Sequence, residues 1–119
     1  MKKIYIHISD ADKMSALESI CKTLKIEIHS LKGTDLNRTV AAICGVSAGK
    51  NGSHKQAPAL YAIPELLLFY GIDDSTLDSF LEAYNATGLK SIRMKAVVTP
   101  VNLNWTLYEL TEQLAKEIQ

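Results

Sequence analysis

The sequence predicts an α/β (α+β) chain in which a strand-helix-strand-helix order occurs twice, giving a four-stranded sheet with four helices. Three observations carry this. Residues 3–8, 25–31 and 92–98 alternate apolar and polar positions, the period of a strand with one drier face. Leu66 to Tyr70 is a solid apolar run, which suits a central strand buried on both faces. Between these runs the apolar residues recur at helical spacing, and each such stretch opens on a Ser, Thr or Asp that can accept from free helix amides.

In chain order, Ile4, Ile6 and Ile8 alternate with Tyr5 and His7 in the first strand. Ser9 or Asp10 caps the first helix, whose stripe is Met14, Leu17, Ile20, Cys21 and Leu24. Ile26 and Ile28 alternate with Glu27 and His29 in the second strand. Gly33 makes a turn, and Thr34 or Asp35 opens a second helix with Leu36, Val40, Ile43 and Cys44 on one side. Gly45 is its C-terminal stop. Residues 46–58 lose periodicity and are rich in Gly, Ser, Lys and Asn, the composition of a mobile loop.

After the third strand, Asp73 and Asp74 stand at the start of a helix with the stripe Leu77, Phe80, Leu81 and Tyr84. Capping and the helix dipole account for this acidic pair without catalysis. In the fourth strand, Pro100 cannot donate a ladder hydrogen bond and favours extended geometry at Thr99, which ends the strand. Thr106 and Glu109 have capping-box spacing, and Trp105 is placed to staple onto Leu110. Leu107, Leu110, Leu114 and Ile118 form the last stripe.

Ile6, Met14 and Leu17 correspond in position to Phe69, Leu77 and Phe80. The chain is therefore expected to be a single domain, 1–119, built on a degenerate repeat of 1–45 and 64–119. Alternation in three of the strands favours a ferredoxin-like split βαβ arrangement with an antiparallel sheet. A helix between the second and third strands favours a small open parallel sheet instead.

The run KAVVTPVNLNWTLYEL, with the preceding LLLFYGIDDSTLDSFL, resembles a small bacterial family of uncharacterised function. Thr99, Pro100, Asn102 and Trp105 fall at that family's spacing, and the resemblance covers about Glu65 to Glu117. It implies a fold and no particular reaction, cofactor or catalytic residue.

Formal net charge is zero, which gives no global field toward nucleic acid or anionic membrane. Low aromatic content further disfavours single-stranded nucleic acid on the sheet face. No apolar run approaches membrane-spanning length, and IYIHI gives way at once to SDAD, so a cytoplasmic protein is expected. Cys21 and Cys44 match no metal or redox spacing and read as reduced core thiols. GVSAGKN, residues 45–51, lacks the spacing, the hydroxyl and the preceding strand of a phosphate loop. Lys50, His54 and Lys55 still leave that loop locally basic.

Two possible sites follow. If the alternating strands share an orientation, Tyr5, His7, Glu27, His29, Arg93 and Lys95 lie on one mixed face. That face could hold a metal or pack on a second subunit that also covers Leu67 and Phe69. The more compact candidate is Thr99 to Asn104. In one reading Asn102 and Asn104 merely satisfy turn and cap amides. In the other, Lys95, Thr99, Asn102 and Trp105 line a pocket at the strand's carboxyl end, with Lys50 arriving on the loop. The expectation is a non-catalytic homodimeric module for a small molecule or protein partner, with no cofactor and no metal. The alternative is a small enzyme using Lys95, Thr99 and Asn102.

Overall fold

The computed structural model describes residues 2–47 and 56–118. Four strands, β1 (Lys3–His7), β2 (Glu27–Ser30), β3 (Leu66–Tyr70) and β4 (Met94–Val97), form one sheet in the order β2-β1-β3-β4. β1 runs parallel to β2 and β3 parallel to β4, while β1 and β3 meet antiparallel at the centre. The mixed α/β class and the twice-repeated element order hold. The sheet is neither the antiparallel ferredoxin-like arrangement nor the all-parallel one. Within each half a helix returns the chain to a parallel neighbour, and the two halves then join head to tail.

The helices α1 (Ala11–Leu24) and α3 (Asp74–Ala86) cover one face of the sheet. α2 (Val40–Cys44) and α4 (Leu107–Glu117) cover the other, with a 3-10 turn at Gly33–Asn37. Strand alternation sorts the side chains accordingly. Ile4, Ile6, Leu67 and Phe69 meet Leu17, Ile20 and Phe80 in the first core layer. Tyr5, Leu66 and Leu68 meet Val40, Leu107 and Leu114 in the second. β3 is buried on both faces, as its solid apolar run requires.

The caps anchor each helix where it leaves the sheet. Asp10 accepts from the amides of Asp12 and Lys13, and Asp73 from that of Thr76. The region read as one helix from Thr34 is instead two elements. Leu36 ends in the 3-10 turn, Arg38 is extended, and Thr39 caps the five-residue α2. Gly45 closes α2 at φ 72°, a left-handed conformation that glycine adopts without a side-chain clash.

The same local build recurs before α4. A 3-10 turn at Asn102–Asn104 leads to extended Trp105, and Thr106 caps α4. These two entries pair with each other. The Val40 amide donates to the Trp105 carbonyl at 2.8 Å, and the Leu107 amide donates to the Arg38 carbonyl at 2.9 Å. Thr39 and Thr106 thus face one another as an antiparallel bridge between the halves. Thr106 is fully buried, and its capping box with Glu109 forms as the sequence predicts.

Candidate functional site

β4 is an edge strand, and no strand among the described residues pairs with its outer side. The Val98 amide donates to the Phe69 carbonyl at 2.9 Å, so alternation turns the amides of Lys95 and Val97 away from β3. The Lys95 and Val97 carbonyls point the same way. A hollow of about 410 Å³ runs along this edge toward α4. Lys95, Thr99, Asn102 and Trp105 border it, and Leu110 and Leu114 lie against it from α4.

The turn after β4 explains why these groups converge. The Asn102 carbonyl oxygen, Oδ1, accepts from the Thr99 amide at 2.8 Å. In return the Asn102 amide donates to Thr99 Oγ1 at 3.1 Å, and Asn102 Nδ2 donates to the Val97 carbonyl at 3.0 Å. Asn102 therefore closes the turn and shields the last carbonyl of the edge. It is buried, so Asn102→Ala should leave the Thr99 amide and the Val97 carbonyl without their partners. The expected loss is about 1–3 kcal/mol in chemical denaturation, and an unchanged midpoint would show that the turn does not need it.

Lys95 borders the hollow, but its ammonium donates to the Ile92 carbonyl at 2.6 Å. That places the charge at the amino-terminal end of β4, away from Thr99. Trp105 is partly buried in the core layer beneath α4, with its ring also bordering the hollow. Its anchoring contribution is accordingly smaller than that of a fully enclosed indole. Lys50 lies outside the described residues, as do His54 and Lys55.

The mixed polar face does not assemble as expected. Tyr5 and His29 stack with ring centres 5.1 Å apart, on the α2 and α4 side of the sheet. Glu27 Oε1 lies 2.9 Å from His29 Nε2 without the alignment of a hydrogen bond. Lys95 pairs across from Leu67 and so points to the opposite face, because parallel β3 and β4 keep that register. Leu67 and Phe69 are covered by the chain's own α1 and α3, not left for a second subunit. Burial pushes the Tyr5 hydroxyl up to about 12, with the Cys44 thiol beside it adding to the shift. Among the described residues no three His, Cys, Asp or Glu side chains stand together as a metal site would require.

Sequence reasoning missed Gln113 and Glu117, which complete the hollow from α4. Their signal was present: Leu110, Gln113, Leu114 and Glu117 follow one another at the spacing of a single helix face.

Comparison with known proteins now places this half of the molecule. Residues 65–119 match the family described as Domain of unknown function (DUF3783). The DUF3783 segment begins immediately before β3 and contains every described residue of the β4–α4 hollow. Neither curated proteins nor solved structures give a match to the chain. No helix among the described residues is long and apolar enough to cross a membrane.

Proposed function

We propose that the chain is a non-catalytic recognition module whose binding site is the hollow between β4 and α4. The observation that carries this is the convergence of Thr99, Asn102 and Trp105 with an open strand edge on one concave surface of about 410 Å³. That volume is in the range of small-molecule pockets, and an apolar floor with a few polar groups is their usual lining. The competing reading, a small enzyme using Lys95, Thr99 and Asn102, has less support. The Lys95 ammonium and the Asn102 amide are both spent on backbone carbonyls.

The proposal treats residues 1–119 as one cytoplasmic domain made of two degenerate repeats, 1–45 and 64–119. The recurrence of strand, helix, strand, 3-10 turn and capped helix in the same order supports it. Assembly as a homodimer is part of the reading, with exposed Leu60 and Val101 available for contact. Sedimentation should then give a species of twice the 13.1 kDa chain mass.

The site is testable through its indole, because Trp105 is the sole tryptophan. In a screen of small polar-apolar compounds, binders should shift both Trp105 emission and the melting temperature. Gln113→Phe puts a bulky ring at the hollow from an exposed helix position while leaving Trp105 the sole indole, and should weaken those binders by at least about tenfold without lowering stability. Compounds that bind the variant as well as the parent would move the site elsewhere.

A further inference from the structure

The three residues Lys95, Ala96 and Val97 border a hollow on each face of the sheet. On the α4 side is the cavity already described. On the α3 side is a second, apolar hollow of about 170 Å³ walled by Phe69, Leu77 and Leu81. Between the two runs the bare backbone edge, with the amides of Lys95 and Val97 and the Lys95 carbonyl turned outward. A ligand that uses all three features needs backbone hydrogen-bonding groups in one plane and side chains leaving that plane on alternate sides. An extended peptide has that geometry, since successive side chains point to opposite faces and its amides lie along the edge.

We infer that the edge of β4 receives an extended peptide segment carrying an aliphatic residue next to an arginine or lysine. The aliphatic side chain enters the Phe69–Leu77–Leu81 hollow, and its cationic neighbour enters the larger cavity beside Trp105. The charge of the second hollow selects the cation. Glu117 stands at its rim as the acidic group among the described residues of that hollow. Lys95 does not offset it at close range, because its ammonium is held at the Ile92 carbonyl. The indole adds a face on which a guanidinium or ammonium can stack. Asn102 covers the Val97 carbonyl and sets the length of the added strand. Pairing is confined to the groups of Lys95 and the Val97 amide.

The inference rests on the reading of the β4–α4 hollow as a recognition site, and the experiment separates the two. The probe is a capped hexapeptide of alternating isoleucine and arginine, titrated into the whole chain with Trp105 emission and calorimetry as readouts. It should bind saturably and shift the emission. Replacing arginine by glutamate should weaken it by at least about tenfold, as should N-methylation of alternate amides, which removes the ladder donors. Val97→Pro deletes an outward amide that makes no bond to β3, and proline is tolerated at such edge positions. This variant should keep the parent's melting temperature and lose affinity about tenfold.

Equal binding of the N-methylated peptide would overturn the inference even if Val97→Pro failed to fold. So would failure of the parent peptide to bind. A small compound that still shifts Trp105 emission would in either case leave the recognition site standing. If sedimentation shows a dimer that Val97→Pro dissolves, a second copy occupies the edge and the peptide inference falls.

Discussion

Phe80→Ala should destabilise the fold by about 3–5 kcal/mol, the largest stability loss expected of any substitution considered for this chain. Phe80 is fully enclosed and meets Phe69 edge-on, with ring centres 5.2 Å apart. That contact binds α3 to the most buried strand, in the layer it shares with Leu17 of α1. Removing the ring deletes apolar burial and an aromatic pair, and it opens a void that three rigid elements surround. Guanidinium denaturation would measure it. Phe80→Leu, which retains most of the volume, should lose clearly less. A loss below about 1 kcal/mol for the alanine variant would mean that α3 does not pack as described.

The second large effect concerns the thiols. Cys21 is 2% exposed, and burial pushes its thiol up to about 11 from an ordinary 9.0. A two-unit rise lowers the thiolate fraction near neutral pH by about 100-fold, so native Cys21 should alkylate at least that much more slowly than in denaturant. Cys44 is shifted the same way by burial, with the Tyr5 hydroxyl acting against the shift. The stability consequence has a definite sign. Between about pH 9 and 11 the unfolded chain has released the Cys21 proton while the folded chain still holds it. Unfolding therefore releases a proton, and stability falls as pH rises through that window, by up to about 1.4 kcal/mol per unit for one group. Rapid native alkylation at pH 8, or a flat profile across the window, would contradict the buried placement. Thiol labelling followed by mass mapping distinguishes the two cysteines.

What the sequence disclosed, and what it withheld, divides along physical lines. Signals confined to a few consecutive residues were legible. Thr106 and Glu109 close their capping box, Asp10 and Asp73 cap their helices, and Leu66–Tyr70 is the doubly covered strand. Strand pairing was not legible, because alternation reports one dry face and says nothing of neighbour or direction. The polar residues that alternate in β1, β2 and β4 suggested an antiparallel sheet, yet Tyr5 of β1 is buried in the second layer, and β2 and β4 are edges, where parallel strands can also carry exposed groups. The break between Leu36 and Val40 was hidden because an extended Arg38–Thr39 pair lies inside an apolar spacing that a continuous helix would also satisfy.

The candidate site was half legible for the same reason. Thr99, Asn102 and Trp105 are close in sequence, and their convergence follows from one turn. The walls contributed by α3 and α4 depend on which face each strand residue meets, which only the register of β3 against β4 decides. That register also sends Lys95 away from Tyr5 and His29, so a shared polar face on those strands could not form.

The seam between Lys3–His7 and Leu66–Tyr70 has a consequence for how the molecule can be divided. A protease cut just ahead of Glu65 would free a C-terminal fragment whose first strand is oily on both sides and has one flank stripped of hydrogen-bond partners. The same cut would strip Trp105 and Leu107 of their backbone partners at Val40 and Arg38. The start of the DUF3783 match thus marks where sequence likeness begins, and dissection at that point exposes a raw surface instead of releasing a finished body.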